Sequence, residues 1–183
     1  MTVGLAYNRP MPLKLAAVFH LNQATTERIR VADRTAYRGL LTVLRSHPQL
    51  KFNLHFSGTV LRGLGWLSPE TLDIVRQGLA DGQFALLGGM HAQNVAYASD
   101  DRDNRLQLQV HARVLEEMLG AKPRVFWNPE RTWRDSLLPL IIEAGYEVML
   151  LEDRVLKAAG VAAPTPVRFS GADGSVTAVC DDS

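Results

Sequence analysis

Five short apolar runs, each followed by a stretch with helical periodicity, restrict the folds open to this chain. The runs lie at 15–19, 51–56, 84–87, 124–127 and 146–151. Between and after them, apolar residues recur at helical spacing over 33–46, 69–81, 101–119, 135–144 and 153–159. The first helical stretch carries Leu40, Leu41 and Leu44 on one face, and the third carries Leu106, Val110, Val114, Leu115 and Met118. Punctuation agrees. Ser68 before Pro69 reads as a capping hydroxyl with proline at the first helical position, and Asp135 reads as another cap. Gly82, Gly120 and Gly145 stand where helices should close. Strands joined by helices of this length run parallel, through right-handed crossovers. Their two-sided apolarity suits a sheet covered by helices. The prediction is an α/β fold, either an open doubly wound sheet or part of a β/α barrel. Two further runs, 166–169 and 176–179, flank a glycine turn and read as a hairpin. No phosphate-binding glycine loop follows any strand. Gly63-Leu64-Gly65 lacks the rest of such a motif, which argues against nucleotide binding.

Composition narrows the partners. The chain has 183 residues, with 20 Lys and Arg against 19 Asp and Glu, for a net charge of +1. That balance offers nothing to nucleic acid or to an anionic membrane. Apolar runs such as 137–142 are too short to span a bilayer. The single cysteine, Cys180, excludes an internal disulfide and a cysteine-based zinc site. It has no nearby base, which argues against a nucleophile. The first residues show no basic cluster leading into an apolar stretch, so the expectation is a cytoplasmic protein.

In parallel α/β folds, ligands bind beyond the carboxyl ends of the strands. His20, Asn22 and Gln23 stand at the first such end, His55 at the second and His91 at the third. The fourth holds Trp127-Asn128-Pro129-Glu130-Arg131-Thr132-Trp133, and the fifth Glu152-Asp153. Glu130 therefore lies between two indoles. A carboxylate among aromatic rings suits glycoside chemistry, because the rings stack on pyranose faces while the acid attacks or protonates. The plainer alternative is a surface glutamate paired with Arg131 or Arg134. His20, His55 and His91 admit three readings: hydrogen bonds to sugar hydroxyls, a three-histidine metal set, or rim residues without a ligand. No second histidine lies three or four residues from any of them, which argues against zinc. Glu152-Asp153 reads as a helix cap or a site edge. Asp100-Asp101-Arg102-Asp103 reads as a solvated helix start.

Four segments together resemble glycoside hydrolase family 57, the α-glucan-acting enzymes. Phe19-His20-Leu21-Asn22-Gln23 resembles its His-x-His-Gln-Pro motif. Lys51-Phe52-Asn53-Leu54-His55-Phe56-Ser57-Gly58 resembles its second strand and Ser-Gly turn. Asp81-Gly82-Gln83-Phe84-Ala85-Leu86-Leu87-Gly88-Gly89 is similar to Gly-Gln-x-Glu-x-x-Gly-Gly. Phe126-Trp127-Asn128-Pro129-Glu130-Arg131-Thr132-Trp133 resembles the Trp-x-x-Glu-x-x-Trp segment that holds the nucleophile. The resemblance runs from about Leu15 to Ser183. It implies a (β/α)7 barrel, shared in type with polysaccharide deacetylases, and a retaining mechanism with Glu130 as nucleophile. It implies an α-glucan substrate met by His20, Asn22, Gln23, His55, His91, Trp127 and Trp133, with no metal or organic cofactor.

The chain departs from the family pattern at defined places. Asn22 replaces a second histidine, Ala24 a proline and Ala85 a glutamate, and His91-Ala92-Gln93 replaces aromatic-Glu-Pro. The family's acid/base aspartate lies on a later strand, while Asp181 and Asp182 fall after the hairpin. Five strands and a hairpin are too few to close a seven-stranded barrel. The expectation is one domain over 1–183, the truncated N-terminal portion of a catalytic barrel, inactive alone, with the rest of the domain downstream. The competing readings are a non-catalytic sugar-binding relative and a metal-dependent deacetylase-like hydrolase using the three histidines.

Overall fold

The computed structural model describes residues 15–158, 160, 166–171 and 174–181. Its strands are β1 (Val18–Leu21), β2 (Phe52–Phe56), β3 (Phe84–Leu87), β4 (Val125–Trp127), β5 (Val148–Glu152), β6 (Val167–Gly171) and β7 (Gly174–Asp181). β1, β2 and β3 pair in parallel in that order. β4, β5 and β7 do the same, with β6 antiparallel on the outer edge of β7. A parallel bridge between Gly88 and Phe126 joins the two groups. There the Gly88 N–H donates to the Val125 carbonyl at 2.8 Å, and the Trp127 N–H donates to the Gly88 carbonyl at 2.9 Å. The strands thus run β1-β2-β3-β4-β5-β7-β6 in one sheet. The fold is an incomplete (β/α)7 barrel, and its described strands do not close.

The helices are α1 (Thr26–Ala32), α2 (Arg38–Arg45), α3 (Gly58–Leu67), α4 (Pro69–Ala80), α5 (Asp101–Leu119), α6 (Leu137–Glu143) and α7 (Asp153–Ala158). A π-helical turn, Asp33–Tyr37, links α1 to α2. Strand side chains alternate between faces. Leu21, Leu54, Phe56, Phe84 and Leu86 pack with Ile29, Leu41, Leu61, Leu72 and Leu115 from the helices. Phe126, Met149, Leu151, Val176 and Ala178 do the same with Leu137, Leu140, Ile141 and Leu156. The intervening positions, among them His20, His55, Leu87, Trp127 and Glu152, join neither cluster and line the opposite face.

Several expectations change. The first strand is Val18–Leu21 rather than 15–19, and Leu15 is exposed. The first helix starts at Thr26, seven residues before the predicted position. The Thr25 hydroxyl caps it, accepting from the Arg28 N–H at 3.4 Å. α3 has no counterpart in the periodicity reading, although it buries Val60, Leu61 and Leu64. Gly63 serves packing: a Cβ there would lie 2.5 Å from the Ile29 Cδ1 of α1. Ser68 precedes Pro69, but its side chain makes no capping bond. Asp135 does not cap α6, whose N-cap is Ser136; its carboxylate takes the Trp133 indole N–H at 3.2 Å. On α5, Leu106 is exposed; Val114 and Leu115 are buried as expected, Val110 and Met118 pack against the core, and Asn104, Leu108, His111 and Leu119 join the buried face. The hairpin forms, with residues 172 and 173 outside the described set. Its second strand, β7, extends to Asp181, so this aspartate ends a barrel strand rather than following the hairpin. Asp182 lies outside the described residues. No helix among those described is long and apolar enough to cross a membrane.

Candidate active site

Register builds the centre of the site. His20 and His55 are paired positions of β1 and β2, so their side chains project from the same face. Their Nδ1 atoms lie 3.0 Å apart, one donating to the other. The Trp127 ring stands edge-on to both, with centroids 5.5 Å from His20 and 5.3 Å from His55. In a flat sheet β1 and β4 would be about 14 Å apart. The contact therefore shows that the sheet curls and that these rings face its concave side.

Beneath them the loop after β3 is drawn tight. His55 is fully buried. A Cβ at Gly89 would lie 2.6 Å from its Nε2 and 2.7 Å from the Trp127 carbonyl, so the strand end passes where only glycine fits. His111 on α5 fixes this passage. Its Nδ1 lies 3.0 Å from the Gly89 N–H and 2.8 Å from the Gly89 carbonyl, and its Nε2 faces the Phe56 carbonyl at 2.9 Å. Burial pushes His111 down to about 4. Burial also holds His55 well below its ordinary value, reinforced by His111 and His20. His20 is lowered by burial against the pull of the Gln93 carboxamide and the Glu130 charge.

Glu130 sits in the turn after β4. The Asn128 side-chain amide donates to the Thr132 carbonyl at 2.9 Å, and the Arg131 N–H donates to the Asn128 carbonyl at 3.0 Å. Arg131 takes a left-handed backbone with φ 53°. The turn leaves Glu130 exposed. Its two sequence-neighbouring arginines are engaged elsewhere: Arg131 with Glu152 at 3.3 Å, and Arg134 with Asp101 at 2.5 Å. Arg154 is a second partner of Glu152. Among the described residues Glu130 forms no ion pair, so the surface-pair reading loses both its partners.

The structure gathers His20, His55, Trp127 and Glu130 and sets the other candidates apart. The Asn22 carbonyl accepts the Tyr37 hydroxyl at 3.1 Å. The Gln23 side chain turns to the same phenol, and its carbonyl accepts the Thr59 hydroxyl at 3.0 Å. The His91 ring lies where a side chain at Gly58 would stand, 6.5 Å from His111, and is lowered by burial and by Arg62. Trp133 lines a cleft of about 880 Å³ with Tyr97, Leu138, Leu151, Val155 and Phe169; it packs against the helix-facing cluster, and none of His20, His55, Trp127 or Glu130 lines that cleft. Glu152, at the end of β5, is held by its two arginines. Among the described residues no group of three or more His, Cys, Asp or Glu side chains converges to hold a metal ion. The three-histidine metal set does not assemble.

Two residues of the centre escape sequence reasoning. His111 carried a usable signal, standing three residues from both Leu108 and Val114 on a buried face. Gln93 was read only as part of the departure His91-Ala92-Gln93, and its burial depends on the β3–α5 loop folding back on α5. An exposed, unpaired carboxylate beside an indole and an imidazole can approach an electrophilic carbon or accept a proton.

A family model described as Glycosyl hydrolase family 57 matches residues 14–177. A 4-alpha-glucanotransferase of Thermococcus litoralis is 28% identical over 71% of this chain and 20% of its own length. An alpha-amylase of Pyrococcus horikoshii is 29% identical over 73% of this chain and 21% of its own. The chain thus spans about a fifth of these relatives. The crystal structure of the Thermococcus litoralis 4-alpha-glucanotransferase superposes on 90% of this chain and 27% of its own, with a TM-score of 0.82 and 23% identity.

Proposed function

The chain belongs to glycosyl hydrolase family 57, and from that premise we propose that it is the N-terminal portion of a catalytic domain acting on α-glucans by retaining double displacement. Glu130 attacks the anomeric carbon and forms a glycosyl-enzyme ester while the glycosidic oxygen leaves with a proton. Water or a sugar hydroxyl then displaces the carboxylate. The proton donor and later base is an aspartate beyond this chain. His20 donates to a hydroxyl of the sugar, and Trp127 bounds its apolar face. The neutral state of His20 suits that role, because it leaves the charge of Glu130 free for attack. No membrane or nucleic-acid partner enters this reading, and the protein works in the cytoplasm.

The observation that carries the proposal is the unpaired state of Glu130 next to arginines that pair elsewhere. A glutamate kept for structure would take one of them. The test is covalent trapping with a 5-fluoro-α-glucosyl fluoride. Fluoride leaves without a general acid, so the missing aspartate is not needed, and the ring fluorine slows breakdown of the ester. Peptide mass mapping is expected to place one fluoroglucosyl group on Glu130 and none in Glu130→Gln. An adduct on another residue, or none at all, overturns the assignment.

A further inference from the structure

Gln93 lies in the loop between β3 and α5, nine-tenths buried, with 9% of its surface exposed. Its φ is 53°, in the left-handed region that non-glycine residues seldom enter. The loop imposes this conformation from both sides. The Ala92 N–H donates to the Gln107 side chain at 2.8 Å. The Asn94 amide donates to the Ser99 hydroxyl at 2.8 Å and to Asn104 Oδ1 at 2.9 Å. The Gln93 carboxamide is thereby carried to His20. Apart from this approach to His20, neither its Oε1 nor its Nε2 has a hydrogen-bond partner. Buried polar atoms are nearly always paired, and backbone strain persists where the surroundings over-determine it, often at ligand sites.

We propose that Gln93 is a substrate-contacting residue, its Oε1 accepting from one hydroxyl of the glucosyl unit held at Glu130 and its Nε2 donating to the neighbouring oxygen. A carboxamide offers one acceptor and a donor side by side, the pattern that two adjacent sugar hydroxyls complete. Ala92, the preceding residue, has no polar side chain to offer. Gln93 supplies the polar group from one position further on. The inference rests on the reading of Glu130 as the glucosyl acceptor.

The experiment is the concentration dependence of Glu130 labelling by the 5-fluoro-α-glucosyl fluoride. Two hydrogen bonds lost should raise the half-saturating reagent concentration about tenfold in Gln93→Gly. Glycine prefers the left-handed backbone, so the thermal midpoint should hold or rise, which separates lost contact from lost fold. Gln93→Asn tolerates the same backbone but retracts the amide by one methylene. It should also weaken labelling, and it serves if the glycine variant fails to fold. Labelling of Glu130 at the wild-type concentration in both variants overturns the role of Gln93 and leaves that of Glu130 standing. No labelling of the wild-type chain at Glu130 overturns both.

Discussion

A neutral histidine locked under a strand end ties stability to pH. His111 is held at about 4 by burial, against an ordinary 6.5. Between those values the unfolded chain binds the proton and the folded chain does not, so stability rises with pH through this window. The contribution is fully present above about 6.5 and is lost as pH falls toward about 4, an effect of roughly 3 kcal/mol. His55, also depressed, acts with the same sign. A glutamine at position 111 can accept from the Gly89 N–H and donate to the Phe56 carbonyl without titrating. His111→Gln is therefore expected to reduce the slope of unfolding free energy between pH 4.5 and 6 by about one proton. Urea titrations at stepped pH measure it, and a slope equal to that of the wild type would refute this account. At this scale the sequence showed the chemistry but not its wiring. That His20, His55, Trp127 and Glu130 stand at strand ends was legible because strand ends converge on one rim. Gln93 and the true place of His91 were not, because both depend on how one loop closes over α5.

Elements were legible where their signal was local. β3 and α5 occupy the predicted residues because each is bounded by strong punctuation: the Gly88-Gly89 pair after one, Asp100 and Gly120 around the other. α3 was missed although it buries Val60, Leu61 and Leu64. The π-helical turn was hidden because its purpose lies in α4. There Asp33, fully buried, accepts from the Thr71 hydroxyl at 2.7 Å and from Arg38 at 2.9 Å. Arg38 also reaches Glu70 at 2.7 Å, but that pair is exposed on both sides. Removing the buried carboxylate strands a buried hydroxyl and one arginine bond, whereas removing Glu70 deletes only a solvated ion pair. Asp33→Ala should destabilise the fold by about 2–3 kcal/mol, and Glu70→Ala by about 0.5 kcal/mol or less. Chemical denaturation of the two variants side by side checks the ranking. Equal losses would mean that the π-turn is not anchored through Asp33.

At the scale of the whole molecule, the alternation of strands and helices predicted the parallel sheet, and the count of strands predicted that it would not close. What the alternation could not reveal is the curl that brings Trp127 of β4 against His20 of β1, since curvature arises from pairing and twist across the sheet. Glu152 shares this face and is engaged by Arg131 and Arg154, and in the proposed double displacement the acid and base is an aspartate of a longer protein of this family. The two half-reactions should then separate. With an activated fluoride donor, the 183-residue chain is expected to glycosylate Glu130 once and stop. With maltooligosaccharides, whose leaving group requires a proton, it should show no sustained release of reducing ends. The longer protein of this family, carrying the aspartate, should turn over, and Glu130→Gln in it should cut kcat by roughly a thousandfold or more, as loss of a nucleophile does. Steady release of maltooligosaccharide products by the 183-residue chain, abolished by Glu130→Gln, would show that a proton donor lies within these residues. Asp181, which ends β7 in register with Glu152 on β5, would then be the first residue to replace.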